Sequence, residues 1–297
     1  MTVRVGIVGW GEAGRIHASH LASAGAEFSG VVSRRKNPDL DVPVFHALDD
    51  MLPHIDAVTI AVPNHLHASL CLQSVRAGKA VLVEKPLCID KGELEELEAV
   101  LPNMKVPVHL GYRLRWNPTM QRLRGRIKGL RRISCIYRIG IEQLASGKDW
   151  TRELSKTGGG FFTIGIHALD LVRWLSGARG EALSNFTASA EYRNHSANFP
   201  LCVSLSGTLP SGVKIVAGAD LRGDSEFELK LVVDAESGIY PDPSLIPPKF
   251  EDEEIEYRAL IHHFIQAVEH GTWNQKEFDE IIQTHRELIV ARELVSR

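Results

Sequence analysis

The 297-residue chain holds only four cysteines, Cys71, Cys88, Cys135 and Cys202, far apart in sequence and never in CxxC spacing. With no histidine pair beside them they offer no zinc ligand set, and buried thiols are expected. No apolar run approaches the roughly 20 residues needed to span a bilayer. Neither sign of charge is in excess: 34 Lys and Arg stand against 37 Asp and Glu, a formal net charge of −3. That balance leaves no footprint for nucleic acid or for an anionic membrane surface. The adjacent His262 and His263 would lie about 100° apart on a helix, poor geometry for one ion, so no metal is expected. Signal-peptide architecture is also lacking, since "MTVRVGIVGWG" runs directly into a strand pattern. A cytoplasmic protein is the expectation.

What is present is an ordinary globular composition, 44% hydrophobic and 24% charged, with 25 Gly and 14 Pro spread along the chain. The length suits two units. Over the first hundred residues, apolar runs alternate with helical patterns. "VRVGIVG" is followed by a helix over 11–25, with Ala13, Ile16, His20, Leu21 and Ala24 on one side. "EFSGVVS", "DAVTIAV" and "AVLVE" follow as strands, separated by helices. Strands apolar throughout and spaced by helices predict a doubly wound parallel sheet covered on both faces.

The first strand-to-helix turn reads Gly9-Trp10-Gly11-Glu12-Ala13-Gly14. In that context Gly9 permits a tight turn, Gly11 a close approach of a pyrophosphate, and Gly14 close helix–strand packing. Free N–H groups at the helix start favour the phosphates. Where an acid would hold the ribose 2′-hydroxyl, the chain has Ser33, then Arg34, Arg35 and Lys36. With no carboxylate to repel a 2′-phosphate and guanidinium groups to grip it, NADP(H) is expected over NAD(H), which remains possible. The apolar run "AVLVEKPL" ends in Glu84-Lys85-Pro86, charges that are costly to bury without partners.

The segment "AVPNHLHASLCLQSVRAGKAVLVEKPL" (61–87), together with "GYRLRWNPTMQRLRGRI" (111–127) and "GGGFFTIGIHALDLVRWLSG" (158–177), resembles the Gfo/Idh/MocA family of oxidoreductases. The resemblance implies that Lys85 stands beside the nicotinamide and meets the reacting oxygen, that the peptide before Pro86 is cis, and that His167 shuttles a proton. It implies that Ala61, Pro63, Asn64, His65 and Glu84 line the cofactor, although Asn64 and His65 could equally be helix caps. Tyr112 and Arg113 match positions near the active site. Family members usually carry an aspartate four residues before the histidine. Here Thr163 stands there, able to hydrogen-bond substrate but not to supply a negative charge. Asp170, one helical turn beyond His167, is a candidate to compensate or to serve the structure.

From about Arg131 the strands alternate polar and apolar. This predicts an α+β second unit with a large open-faced, mainly antiparallel sheet and one long helix, Gly160 to Leu175. Boundaries of 1–116 for the dinucleotide-binding unit and 117–297 for the substrate-binding unit follow. By the resemblance, the open face makes a homodimer or homotetramer. A loop over 144–160 offers Lys148, Asp149, Trp150 and Arg152 to a substrate. The expected function is an NAD(P)-dependent oxidoreductase acting on a sugar, cyclitol or related small polar metabolite. The alternatives are a non-catalytic cofactor-binding regulator on the same fold, or a C=N/C=C reductase of the biliverdin reductase type.

Overall fold

The computed structural model describes residues 2–33, 40–142, 149–178, 180–192, 200–222, 228–240 and 253–296. The first unit comprises β1 (Val3–Val8), α1 (Glu12–Leu21), β2 (Ala26–Val32), β3 (Val44–Phe45), α2 (Leu48–Met51), β4 (Ala57–Ile60), α3 (His67–Arg76), β5 (Ala80–Val83), α4 (Lys91–Met104) and β6 (Val108–Leu110). Its strands are all parallel, in the order β3-β2-β1-β4-β5-β6. The chain reverses direction across the sheet between β1 and β4, the point where open α/β sheets bind ligands. Central strands such as β4 and β5 are buried at every residue, which explains their unbroken apolar sequences.

The second unit follows with α5 (Pro118–Arg126), β7 (Leu130–Arg138), α6 (Leu154–Thr157), α7 (Ile166–Ser176), β8 (Ser184–Tyr192), β9 (Pro200–Thr208), β10 (Lys214–Asp220), β11 (Glu228–Ala235) and β12 (Gly238–Tyr240). The sheet order is β12-β11-β7-β10-β9-β8, antiparallel except for the β7–β10 pair. Ile133, Cys135 and Tyr137 of β7, with Ile215, Ala217 and Ala219 of β10, are buried on the side where α7 packs. The opposite side carries Thr187, Ser189, Ser204 and Ser206, joined in hydroxyl pairs at 2.8 Å. The expected long helix begins as a π-helical turn, Phe161–Gly165, before α7.

Two helices complete the chain, α8 (Glu253–His270) and α9 (Gln275–Val295). Although it follows every strand of both sheets in sequence, α8 covers the first sheet. Leu260, Ile261, Phe264 and Ile265 share a core with Val3, Val5 and Ile7 of β1. On the sheet's other face a second core runs without a break from Val58, Ile60 and Leu97 to Ile133, Ile215 and Val233 of the second unit. The two units therefore do not swing on a simple linker. Among the described residues no helix is long and apolar enough to cross a membrane.

The α9 helix also reaches the loop after β5. His285 accepts a hydrogen bond from the Leu87 N–H (2.8 Å) through Nε2 and donates through Nδ1 to the Ile281 carbonyl. This bonding defines a neutral tautomer, and burial pushes the pKa down to about 4. The unfolded imidazole takes up a proton near pH 6.5, whereas the folded one resists, so its stabilising contribution is present above about 6.5 and is lost as pH falls toward 4. Urea midpoints measured from pH 7 to 4.5 should decline, with about 1 kcal/mol per pH unit from this group. His285→Gln, whose amide oxygen still accepts from Leu87 without titrating, should flatten that decline.

Candidate active site

Three loops meet at the carboxyl ends of β1, β4 and β5. They are tied by backbone bonds from Gly9 N–H to the Val32 carbonyl (2.9 Å), Ala61 N–H to Val8 (2.8 Å) and Glu84 N–H to Ile60 (2.9 Å). Gly9 has φ of +100°, and a Cβ there would fall 2.2 Å from the Ala61 carbonyl oxygen; one on Gly14 would fall 2.0 Å from the Gly9 carbonyl oxygen. Only glycine fits either place. Around Gly11, by contrast, an added Cβ would meet nothing within 4 Å. No side chain caps α1 at Gly11, and the first turn of a helix has N–H groups without an intrahelical acceptor. This bare cradle suits the pyrophosphate of a dinucleotide.

Around the cradle, Trp10 stacks on Phe28 of β2, ring centroids 5.5 Å apart, while Glu12 is exposed and Ala13 half-buried at the start of α1. Ser33 follows β2 directly, and Arg34 and Arg35 lie outside the described residues. Ala61 and Pro63 follow β4. Asn64 is buried and donates to the Thr157 carbonyl (2.9 Å), so it joins the two units instead of capping a helix. His65 is half-buried and makes no cap either.

The peptide between Lys85 and Pro86 is cis. Glu84 is not a solvated charge: its Oε1 accepts from His17 Nε2 at 2.9 Å, and its Oε2 accepts from the Lys85 N–H. Burial works against that carboxylate. The His17 hydrogen bond and the nearby positive charges more than offset it, holding Glu84 below its ordinary pKa. His17 was not legible as a partner. The α1 stripe read from sequence is buried at His20, Leu21 and Ala24, but Ala13 and Ile16 are only half-buried, and in the first turns the buried side runs through Gly14 and His17 instead.

The Lys85 ammonium donates to the Thr163 carbonyl (2.8 Å), reaching the π-helical turn of the second unit. The Thr163 hydroxyl is turned elsewhere, donating to the Gly159 carbonyl (2.9 Å). One turn further, His167 is 8% exposed and stacks on Tyr137 of β7, with centroids 5.3 Å apart and planes within 18°. Burial, then the charges of Lys85 and Arg113, push the His167 pKa well below its ordinary value. The imidazole is neutral at pH 7. Tyr137 is a contact that sequence reading missed, although its place in the inward series Ile133, Cys135, Tyr137 signals it.

Arg113 sits near this group, but its guanidinium is engaged by Glu256 and, at 3.8 Å, by Glu253 of α8. Two expected substrate residues are engaged by Arg115. Tyr112 is 3% exposed beneath the Arg115 guanidinium, 5.0 Å from its ring centroid. Asp170 is clamped by Arg115 through both oxygens, at 2.6 to 3.1 Å, and the same guanidinium bonds Glu280 at 3.0 Å. Three residues along a helix leave a net offset of only about 60°, so Asp170 lies on nearly the same face as His167, but both of its oxygens are taken by this ion pair. It cannot replace the missing family carboxylate. Trp150 lies half-buried on the turn Asp149–Arg152, and Lys148 is outside the described residues.

Residues 3–112 match the family model described as "Oxidoreductase family, NAD-binding Rossmann fold", GFO_IDH_MocA. The chain is 27% identical over 183 residues to the rhizopine catabolism protein MocA of Rhizobium meliloti, covering 59% of this chain and 57% of that protein. It is likewise 27% identical over 186 residues to an inositol 2-dehydrogenase of the same species, covering 60% and 56%. The match thus spans little more than half the length of these relatives. Among solved structures, myo-inositol 2-dehydrogenase from Lactobacillus plantarum superposes with a TM-score of 0.84 at 18% identity, covering 100% of this chain and 98% of that one. Scyllo-inositol dehydrogenase from Lactobacillus casei, with bound NAD(H) and scyllo-inositol, gives 0.80 at 21% identity over 100% and 97%. At such identities these structures speak for the fold of both units. The motif residues Gly9 to Gly14 and Glu84 to Pro86 lie inside the matched segment, and residues 3–112 are thus similar to the NAD-binding Rossmann-fold segment of the Gfo/Idh/MocA oxidoreductases.

Proposed function

We propose that the chain is an NAD(P)-dependent dehydrogenase or reductase interconverting a hydroxyl and a carbonyl on a cyclitol, sugar or related small polar metabolite. The observation that carries this reading is the approach of the Lys85 ammonium to the helix of His167 at the carboxyl end of β5. When bound, the nicotinamide cofactor supplies hydride exchange with the carbinol carbon. Gly9 to Gly14 and the start of α1 hold its phosphates. Ala61, Pro63, Asn64, His65 and Glu84 border it. Lys85 polarises the reacting oxygen or lowers the pKa of the hydroxyl. His167 passes the proton: a neutral imidazole accepts at one nitrogen while donating from the other. Because Thr163 brings no carboxylate, an imidazolium at His167 has no counter-charge beside it among the described residues, and Lys85 carries most of the electrostatic work. The uncovered face of the second sheet is the proposed contact with a second copy.

Within this reading the cofactor is NADP(H) in preference to NAD(H), supported by Ser33, Arg34 and Arg35 in place of an acid. Hydrogen bonds to a charged group contribute about 1.5–3 kcal/mol, so NADPH should bind roughly 10- to 100-fold more tightly than NADH in a fluorescence titration. Equal or tighter binding of NADH would remove the preference.

The activity itself is tested by following nicotinamide absorbance with inositols, aldoses and their keto forms. Turnover of at least one polyol is expected. Thr163 is the observation that favours the second reading, a regulator that binds dinucleotide without chemistry. Intact cofactor binding with no turnover across the panel would select it, and turnover only of linear tetrapyrroles would select a reductase of the biliverdin type.

A further inference from the structure

We propose that His109, His263 and Glu277 form a binding site for a divalent transition metal of the Zn²⁺ type, outside the dinucleotide crevice. His109 is the middle residue of β6, between Val108 and Leu110, and only 4% exposed. A polar ring in a buried parallel strand calls for a partner, yet no hydrogen bond ties it to another described residue. Its neighbours are rings: Phe264 at 5.6 Å and His263 at 5.1 Å between centroids. It lines a cavity of about 710 Å³, shared with His263 of α8 and Glu277 of α9.

One ligand atom from each of the three residues lies within 4.8 Å of the other two. Bonds of about 2.0–2.1 Å at tetrahedral Zn²⁺ set such atoms roughly 3.3 Å apart, so small side-chain rotations close the site. Both flanking residues are held in place. Trp116 packs on the His263 ring at 4.7 Å, and the Asn274 side chain caps the Glu277 N–H, fixing the first turn of α9. Two imidazoles and a carboxylate are the three-ligand set of an open zinc site, leaving a fourth position toward the cavity. The metal would join β6, α8 and α9. The sequence pointed the other way, because it set His263 beside His262; the exposed His262 faces solvent and the pairing that matters is with residues 154 and 14 positions distant.

The test uses the full chain, stripped with chelator and desalted. One equivalent of Co²⁺ per chain, with visible ligand-field bands displaced by Zn²⁺, is expected, and Zn²⁺ should raise Tm because it binds only the folded state. His263→Gln and Glu277→Gln, at half-buried positions that tolerate substitution, should each weaken Zn²⁺ binding by at least roughly tenfold, the loss known even for groups one shell further out. His262→Gln should bind as the unaltered chain does. Substoichiometric Co²⁺, no rise in Tm, unchanged affinity in both Gln variants with native circular dichroism, or an equal loss in His262→Gln would each overturn the proposal.

Discussion

Lys85→Met is expected to lower kcat by about 10²- to 10³-fold, the usual cost of removing one preorganised donor from a developing charge, while the affinity for NADPH stays essentially unchanged. Methionine keeps the unbranched stem and removes the ammonium. The backbone cradle at Gly9 to Gly14, which would hold the phosphates, lies on a different loop and is untouched. The variant also loses the bond to the Thr163 carbonyl, worth about 1.5–3 kcal/mol because the donor is charged, less than the roughly 5–15 kcal/mol that usually holds a fold together. Steady-state rates on the best polyol of the panel, with circular dichroism as a folding control, decide the matter. Near-normal turnover would end the catalytic assignment. In a relative with an aspartate at position 163 the loss could be shared between two groups; here the hydroxyl of Thr163 is spent on Gly159.

The second large effect concerns stability. Glu287→Ala should cost about 3–5 kcal/mol, seen as a lower urea midpoint with an unchanged m-value. Arg173 of α7 and Glu287 of α9 are 2% and 4% exposed and meet at 2.8 Å. The carboxylate also accepts from Gln283 and from the Leu183 N–H, and the guanidinium donates to the Glu181 carbonyl. Removing Glu287 leaves a buried cation with one backbone acceptor among the bonds described. The double variant Arg173→Met with Glu287→Leu should recover most of the loss, since apolar packing often replaces a buried pair at little or no cost. If Glu287→Ala alone were neutral, the pair would have no structural weight. The pair matters to the site because α7 carries His167, while α9 grips the loop after Lys85 through His285 and through Arg292, which donates to the Ile89 carbonyl at 2.7 Å.

What could be read from the sequence was what local physics dictates. Unbroken apolar strands, a glycine turn that tolerates no Cβ at Gly9 or Gly14, and alternation in β7 to β11 each leave a short-range signature. Lys85 and His167 were read through motifs, and the fold brings the Lys85 ammonium to the Thr163 carbonyl, one helical turn before His167. The failures share a cause. Glu84 finds His17 across 67 positions, and Asp170 finds Arg115 across 55. No periodicity announces such a partner. Asp170 read as a neighbour of His167 because spacing along a helix was visible, and Arg115, the stronger claimant, was not. Tyr137 was within reach, since the same alternation that marks β7 as half-buried sets it on the helix-covered side.

The position of α8 bears on how the molecule is made. A ribosome makes β1 long before the helix that seals it, since Val3, Val5 and Ile7 are covered by residues some 250 positions downstream. A nascent nucleotide-binding half is therefore left with one flank of its sheet greasy and wet until those residues have been made, a state prone to sticking to its neighbours. Cutting the chain after the second sheet would leave that flank bare for good, so an isolated amino-terminal half should be poorly soluble even though it contains every strand of its own sheet.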